Sequence, residues 1–270
     1  MEKKSRRKFF LSILGGIGTL ILSAWLFRKS IIRKVIFNGN FNAENLSPAP
    51  SESDDLCVLT TSQVEGPFFF PSPKRKDIRE DRNGQKLELK FQILKHPDCL
   101  PIKGAVVEIW HCDAEGTYSG YPEEISHDIW KTAVFVGKNG VEENGQMHVD
   151  PINDNRFLRG QQVSNDEGWV EFDTIFPGWY DGRVPHIHAK IITDKDEQLL
   201  TQFYFDPDLC DEIYTKHAPY DTYGKCPMKF EKDIVLDTSG EANGLMLNIK
   251  AQNSMNHPLR ATAKIGLKTV

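Results

Sequence analysis

Past residue 30 the sequence shows almost no helical periodicity, which excludes a helical bundle for the body of this 270-residue chain. No segment repeats at a period of about 20–50 residues, so a solenoid is excluded too. Charged residues make up 26% of the chain and hydrophobic residues 39%, too polar a balance for a polytopic membrane protein and too apolar for a disordered one. Positive charge is scarce beyond the N-terminus. Residues 1–35 hold nine Lys and Arg against one acid, so the net charge of −5 leaves −13 on residues 36–270. A body that acidic offers no basic face for phosphate, which excludes a nucleic-acid partner. Cysteine is sparse, with five in all, a number that suits an exported chain. Cys210 and Cys226 bracket a short loop, Cys57 and Cys99 can form a second bridge, and Cys112 is then left as a buried thiol. Four cysteines allow three pairings, and spacing does not choose among them.

The N-terminus differs from the rest. Residues 9–27 form a 19-residue uncharged run, which as a helix spans about 28 Å, close to the hydrocarbon thickness of a bilayer. Before it stands Ser5-Arg6-Arg7-Lys8-Phe9-Phe10-Leu11, which resembles a twin-arginine export signal. No A-x-A cleavage site follows, so residues 1–30 are expected to be an apolar helix acting as an export signal or a membrane anchor. The expected location is periplasmic or otherwise extracytoplasmic. Residues 31–56 are polar and rich in Asn, Ser and Pro, and read as a linker.

From Cys57 onward, short alternating segments stand between turns. Strands are expected at 87–93, 105–110, 133–136, 169–175, 186–193, 199–205, 230–236 and 245–251, with one helical turn at 208–214. Residues 122–157 read as a long irregular functional loop, and 251–270 as a weakly patterned tail. The expected fold is all-β: a β-sandwich core of mixed and antiparallel strands with long active-site loops, over residues 57–250.

The chemistry centres on Pro185-His186-Ile187-His188. Residues two apart on a strand share a face, so both imidazoles point to one site. Tyr180 sits six residues before His186, on a turn opened by Pro177-Gly178. Tyr118 lies where the 105–110 strand runs into a turn. If residues 194–198 form a five-residue hairpin loop, Thr193 pairs with Leu199. Gln202 then opposes Lys190 and shares the histidine face, whereas a four-residue loop would turn it away.

These segments resemble the intradiol ring-cleaving dioxygenases, the family of catechol 1,2-dioxygenase and protocatechuate 3,4-dioxygenase. The resemblance runs from about residue 57 to 236. It is strongest in W-H-C-D-A-E-G-T-Y-S-G-Y (110–121), F-L-R-G (157–160) and T-I-F-P-G-W-Y-D-G-R-V-P-H-I-H (174–188). It implies one non-haem Fe(III) held by Tyr118, Tyr180, His186 and His188, with Arg183 and Gln202 beside it and Tyr180 taking a substrate proton. It also implies cleavage of a catechol-type aromatic diol by O2 to a cis,cis-muconate-type diacid, a step of aromatic catabolism. Physical chemistry agrees with that donor set, since a phenol with a pKa near 10 needs a strong cation to ionise at neutral pH, and two phenolates suit a hard trivalent ion better than zinc. The short Tyr180–His186 spacing departs from the family's better-known members and leaves the substrate open. Membrane contact through the N-terminal segment and homo-oligomerisation also stay open.

Other residues carry less. His111 reads as structural, Tyr121 as packing or pocket wall, and Phe68-Phe69-Phe70 as core or pocket wall. His127 and His148 are expected at the surface of the long loop, and His96, His217 and His257 at the surface elsewhere. Two rival functions remain. One is a zinc hydrolase built on the H-x-H pair, with Asp181 close by and a third His, Asp or Glu ligand required. The other is a non-catalytic exported sandwich that binds a phenolic ligand.

Overall fold

The computed structural model describes residues 45–51, 57–143, 146–194, 196–236, 241–250 and 257–268. The expected N-terminal helix lies outside these residues. No described helix is long and apolar enough to cross a membrane.

Two sheets pack face to face. One has six strands in the order β1 (Asn45–Pro48), β11 (Glu241–Met246), β10 (Asp196–Tyr204), β9 (His186–Thr193), β4 (Val106–Trp110) and β7 (Arg159–Val163). β1 and β10 run parallel to β11, and the remaining neighbours are antiparallel. The other sheet is built on β2 (Lys86–His96). β13 (Leu259–Lys268) lies parallel to β2, while β8 (Trp169–Ile175) and β3 (Leu100–Pro101) run antiparallel to it and β12 (Ile249–Lys250) pairs with β13. The expected sandwich of mixed strands is therefore present.

Period-two alternation places the core. Leu87, Leu89, Phe91 and Ile93 of β2 face Ile187, Ala189 and Ile191 of β9 inside one buried cluster, and Phe91 stacks on Phe203 across the sheets at 5.0 Å. Burying side chains of this kind contributes about 1.5–3 kcal/mol each. The even-numbered residues of β9, among them His186 and His188, must then point away from the core. That outer face of the six-stranded sheet carries the site.

Several sequence expectations are corrected. Residues 133–136 are not a strand but part of α1 (Ile129–Asn139), which Asp128 caps by accepting from the Trp130 and Lys131 amides. A short apolar run does not distinguish the two periods by itself; Thr132, Ala133 and Val136 are buried at helical spacing. Residues 122–157 hold α1 and the hairpin of β5 (Gly140–Glu143) and β6 (Gln146–Val149) rather than irregular chain. The turn expected at 208–214 extends to α2 (Pro207–Lys216). Residues 230–236 form a 3-10 turn and a loop, not a strand. The linker contributes β1, and the tail contributes β13, which pairs with β2 over ten successive positions. Its Thr, Lys and Gly residues weaken the apolar pattern while its Leu, Ala and Ile alternate inward.

Cys57 and Cys99 form a disulfide, separated by 42 positions. A loop of that length contributes about 4 kcal/mol by restricting the unfolded chain. Cys112, Cys210 and Cys226 are buried free thiols, so the bridge considered between Cys210 and Cys226 is absent.

Candidate active site

β9 presents His186 and His188 side by side on the outer face. On one side β10 places Gln202 opposite His188 and Tyr204 opposite His186; on the other, β4 places Trp110 opposite His188. The hairpin differs from the expected one. Asp196, not Leu199, opposes Thr193, and a register shift between Glu197 and Leu199 puts Gln202 across from His188 instead of Lys190. The shift restores parity, so Gln202 still lies on the histidine face.

Two loops bring the phenols. The Asp113 carboxylate accepts from the Glu115 and Thr117 amides and closes the turn that carries Tyr118. The Gly178 amide donates to Asp113 O, joining this turn to the Pro177-Gly178 loop that carries Tyr180. At the same junction Gly116 has φ +85°, and a Cβ there would lie 2.3 Å from Trp179 O. Only glycine permits that approach.

The four side chains converge. Tyr118 Oη lies 3.3 Å from His186 Nε2 and 3.1 Å from His188 Nε2. Tyr180 Oη lies 3.2 Å from His186 Nε2, and the two Nε2 atoms are 3.1 Å apart. Donor atoms this close to one another can share the coordination sphere of a single metal ion. His186 Nδ1 donates to Val184 O at 2.7 Å, which leaves its Nε2 lone pair aimed at the cluster. Burial, with Arg183 adding to it for His186 and the neighbouring His186 for His188, pushes both imidazoles well below their ordinary pKa, so both are neutral donors. Burial pushes the Tyr118 phenol well up and the Tyr180 phenol to about 12. Ionising either at neutral pH takes a cation at the centre of the cluster. Among the described residues no group of three or more His, Cys, Asp or Glu side chains is placed to hold a metal. The side chains brought together here are two imidazoles and two phenols, a donor set that suits a hard trivalent ion better than zinc.

Arg183 is 1% exposed and stands beside the cluster. Its Nη2 donates to Gln202 Oε1 at 2.6 Å, its Nε to both oxygens of Asp233 at 3.0 and 3.1 Å, and its Nη1 points at Tyr180 Oη, 3.5 Å away. Burial is the largest single influence and works against this charge, but the Asp233 carboxylate and the Tyr180, Tyr204 and Tyr118 phenols together more than offset it and raise the Arg183 pKa. Gln202 Nε2 in turn donates to Val64 O. Asp181, named with the H-x-H pair in the zinc reading, accepts from the Ile129 amide at the start of α1. Asp233 escaped sequence reading because its segment read as a strand.

Two clefts of about 20 and 10 Å3 flank the donors and share Phe68, Thr132 and Tyr180 as walls. Each has room for a water and not for an aromatic ring. Their remaining walls are mainly apolar, among them Ile125, Ile129 and Ile234; Glu65 and Arg183 are the charged members. Glu65 is itself paired with Lys190 at 2.9 Å and His148 at 3.2 Å. A larger trough of about 490 Å3 lies on the outer face of the other sheet, among the Lys76–Glu171 and Arg260–Glu88 ion pairs. It is remote from the donors.

The minor candidates sort as follows. His111 is fully buried between Cys112 O and Thr174 Oγ1, as expected of a structural histidine. Tyr121 donates to Val149 O and packs on Phe68, whose ring lies in the same buried cluster as Phe70. His127 and His148 are half-buried rather than at the surface, and His127 stacks on Tyr223 at 3.6 Å. Sequence reading also missed Arg159, fully buried on β7, which donates to Ser119 Oγ, Ser119 O and Phe68 O.

Two histidines on one strand of a β-sandwich and two tyrosines on adjoining loops thus form a single candidate centre. A family model described as "Dioxygenase" matches residues 64–220. The chain is similar to a solved intradiol ring-cleavage dioxygenase from Tetranychus urticae, at 32% identity and TM-score 0.63, over 78% of this chain and 95% of that one. It shares its fold with the 3-chlorocatechol 1,2-dioxygenase of Rhodococcus opacus, at TM-score 0.51 and 18% identity, over 78% of this chain and 73% of that one. Among curated proteins it is 25% identical to a chlorocatechol 1,2-dioxygenase of Rhodococcus opacus, over 55% of this chain and 57% of that protein. To another, from a Pseudomonas species, it is 28% identical, over 69% and 67%. The matched segment thus spans little more than half the length of the first of these relatives. The chain belongs to the intradiol ring-cleavage dioxygenase family.

Proposed function

We propose that this protein cleaves a catechol-type aromatic diol between its hydroxyl-bearing carbons with O2, giving a cis,cis-muconate-type diacid, and that Tyr118, Tyr180, His186 and His188 hold the ferric iron this requires. The observation that carries the reading is the convergence of four donors at 3.1–3.3 Å. When bound, ferric iron would ionise the phenols and withdraw electron density from a catecholate, making its ring carbon reactive toward O2.

The chain's own residues do the rest. Tyr180 walls both clefts and is only half-buried, so its movement aside joins two water-sized spaces into one that admits a ring. Tyr180 Oη takes a proton from the substrate as it moves. Arg183 Nη1, aimed at the space Tyr180 occupies, meets the negative charge that builds on the substrate ring. Gln202 Oε1 and Asp233 hold the other edges of that guanidinium. The mainly apolar walls exclude water and suit a neutral ring. A ring carboxylate would meet the Glu65 carboxylate and an arginine already engaged by Asp233 and Gln202, so the preferred substrates are catechols with uncharged substituents.

Metal analysis, colour and O2 uptake with catechol test the reading together. Iron-loaded protein should be red-brown from phenolate-to-iron charge transfer, Tyr118→Phe should shift or bleach the band, and catechol should consume O2. Stoichiometric iron in a colourless protein would overturn the two-phenol assignment. Zinc in place of iron would favour the hydrolase, and catechol returned unchanged by the iron-loaded protein would favour the binder.

We further propose export through the twin-arginine signal. The Cys57–Cys99 bridge supports an oxidising compartment. Arg6→Lys with Arg7→Lys should retain the protein in the cytoplasm; undiminished export of the double variant would point to a different route.

A further inference from the structure

We propose that Asp233 is the positioning residue of this site: it aims the Arg183 guanidinium, and it does so from the same loop that walls the substrate cleft. The inference rests on the dioxygenase reading above. Asp233 is completely buried, and its carboxylate ties residues 183–184 to residues 235–236. Its two oxygens take the Arg183 Nε at 3.0 and 3.1 Å, the Val184 amide at 2.6 Å, and the Val235 and Leu236 amides at 2.7 and 3.2 Å. The neighbouring Ile234 amide donates to Gly182 O at 3.0 Å, and the Ile234 side chain lines the cleft beside Tyr180.

This arrangement fixes a direction. A guanidinium has three edges. Asp233 takes the Nε side and Gln202 takes Nη2, so Nη1 alone is turned toward Tyr180 Oη and His186 Nε2, at 3.5 and 3.3 Å. With Gln202 as its sole anchor the group could pivot about that one bond. A second anchor on the opposite side removes the pivot, which is how preorganisation at developing charge is maintained. Asp233 also hydrogen-bonds Val184, whose carbonyl orients His186. The loop that supplies the carboxylate thus sets both the cation and one imidazole. Asp233 touches neither the donor cluster nor the cleft, and it acts through Arg183.

A double-variant cycle tests this. Asp233→Asn keeps the size and one acceptor oxygen. It should lower kcat roughly 10- to 100-fold with KM changed less than about 3-fold, since the loss falls on charge that develops during reaction. In an Arg183→Ala background the same substitution should change kcat less than about 3-fold, because no guanidinium is left to aim and the oxygen that asparagine retains can still accept from the Val184 amide that positions His186. The charge-transfer band of the iron-loaded protein gives a second readout that needs no turnover. Asp233→Asn should shift the band as Nη1 leaves Tyr180 Oη, and in the Arg183→Ala background it should add no further shift. Equal losses and equal shifts in both backgrounds would make Asp233 a purely structural residue and overturn the proposal. Wild-type protein that binds iron without consuming O2 in the presence of catechol would overturn the dioxygenase reading instead, and the band shifts would still decide the role of Asp233.

Discussion

Trp110 lies flat against His188, with ring centroids 4.7 Å apart and planes 6° from parallel. The two histidines are therefore oriented by different means. His186 is held by a hydrogen bond from Nδ1, whereas no hydrogen bond reaches His188 Nδ1 among the described residues, and its ring is set by stacking. Trp110→Leu should remove the stack and let the ring turn. Iron affinity should fall on the order of 10-fold, as for loss of other groups that orient a metal ligand. Equilibrium dialysis against a ferric chelator measures it; affinity equal to wild type would show that packing at Trp110 does not orient His188.

The backbone contact at Gly116 sets the spacing of the two tyrosine loops. Gly116→Ala adds a methyl 2.3 Å from Trp179 O at φ +85°. The left-handed conformation alone costs about 1–2 kcal/mol in an alanine, and relieving the clash drives the loops apart. The expected result is a parallel loss of iron content, red-brown colour and turnover with the secondary structure intact. Full iron occupancy in the variant would show that the loops are held together elsewhere.

Arg159 links the Tyr118 turn to the Phe68 segment through bonds to Ser119 and Phe68 O, with its guanidinium 3.7 Å over the Phe70 ring. Burial pushes its pKa down to about 10, which still leaves it charged at neutral pH. Arg159→Met should leave the two buried carbonyls unsatisfied and destabilise the fold by about 2–4 kcal/mol. Urea denaturation would show this as a lower midpoint at unchanged slope. Arg159→Lys should recover only part, since an ammonium cannot bridge the same three acceptors in a plane.

Burial holds the His111 imidazole at a pKa of about 4, below its ordinary 6.5. The folded protein keeps this ring neutral, while the unfolded chain takes up a proton below pH 6.5. Its contribution to stability is therefore complete above pH 6.5 and is lost as pH falls toward 4, at about 1.4 kcal/mol per pH unit and about 3 kcal/mol in total. In iron-free protein the depressed His186 and His188 act in the same direction. Unfolding midpoints between pH 7.5 and 4.5 should drop on acidification, and His111→Gln should make the drop shallower. An unchanged slope in His111→Gln would locate the acid sensitivity elsewhere.

What the sequence made legible was whatever depends on short-range spacing. His186 and His188 share a face because strands have a period of two, and Gln202 joins them because hairpin parity, restored by a register shift, survives a wrong loop length. Tyr118 and Tyr180 entered through motifs, and their convergence is a tertiary fact that no local pattern contains. Asp233 and Arg159 were missed because each acts on groups tens of residues distant, Arg183 and Ser119 among them. β13 was missed because Thr, Lys and Gly dilute its alternation, and its pairing with β2 spans most of the chain. The segment at 133–136 was misread because four apolar-rich positions fit a strand as well as a turn of helix, and the Asp128 cap decides between them.

The three free cysteines are all enclosed, and in each the thiol is pushed above its ordinary range, mainly by burial; for Cys226 it reaches about 12. At neutral pH the nucleophilic thiolate of Cys226 is then a fraction on the order of 10⁻⁵. Catechols exposed to air oxidise to ortho-quinones, electrophiles that alkylate thiolates. On the function proposed above such by-products would form wherever the diols meet O2, and the cysteine sulfurs, one pair locked in the Cys57–Cys99 bridge and three enclosed, offer them almost nothing to attack.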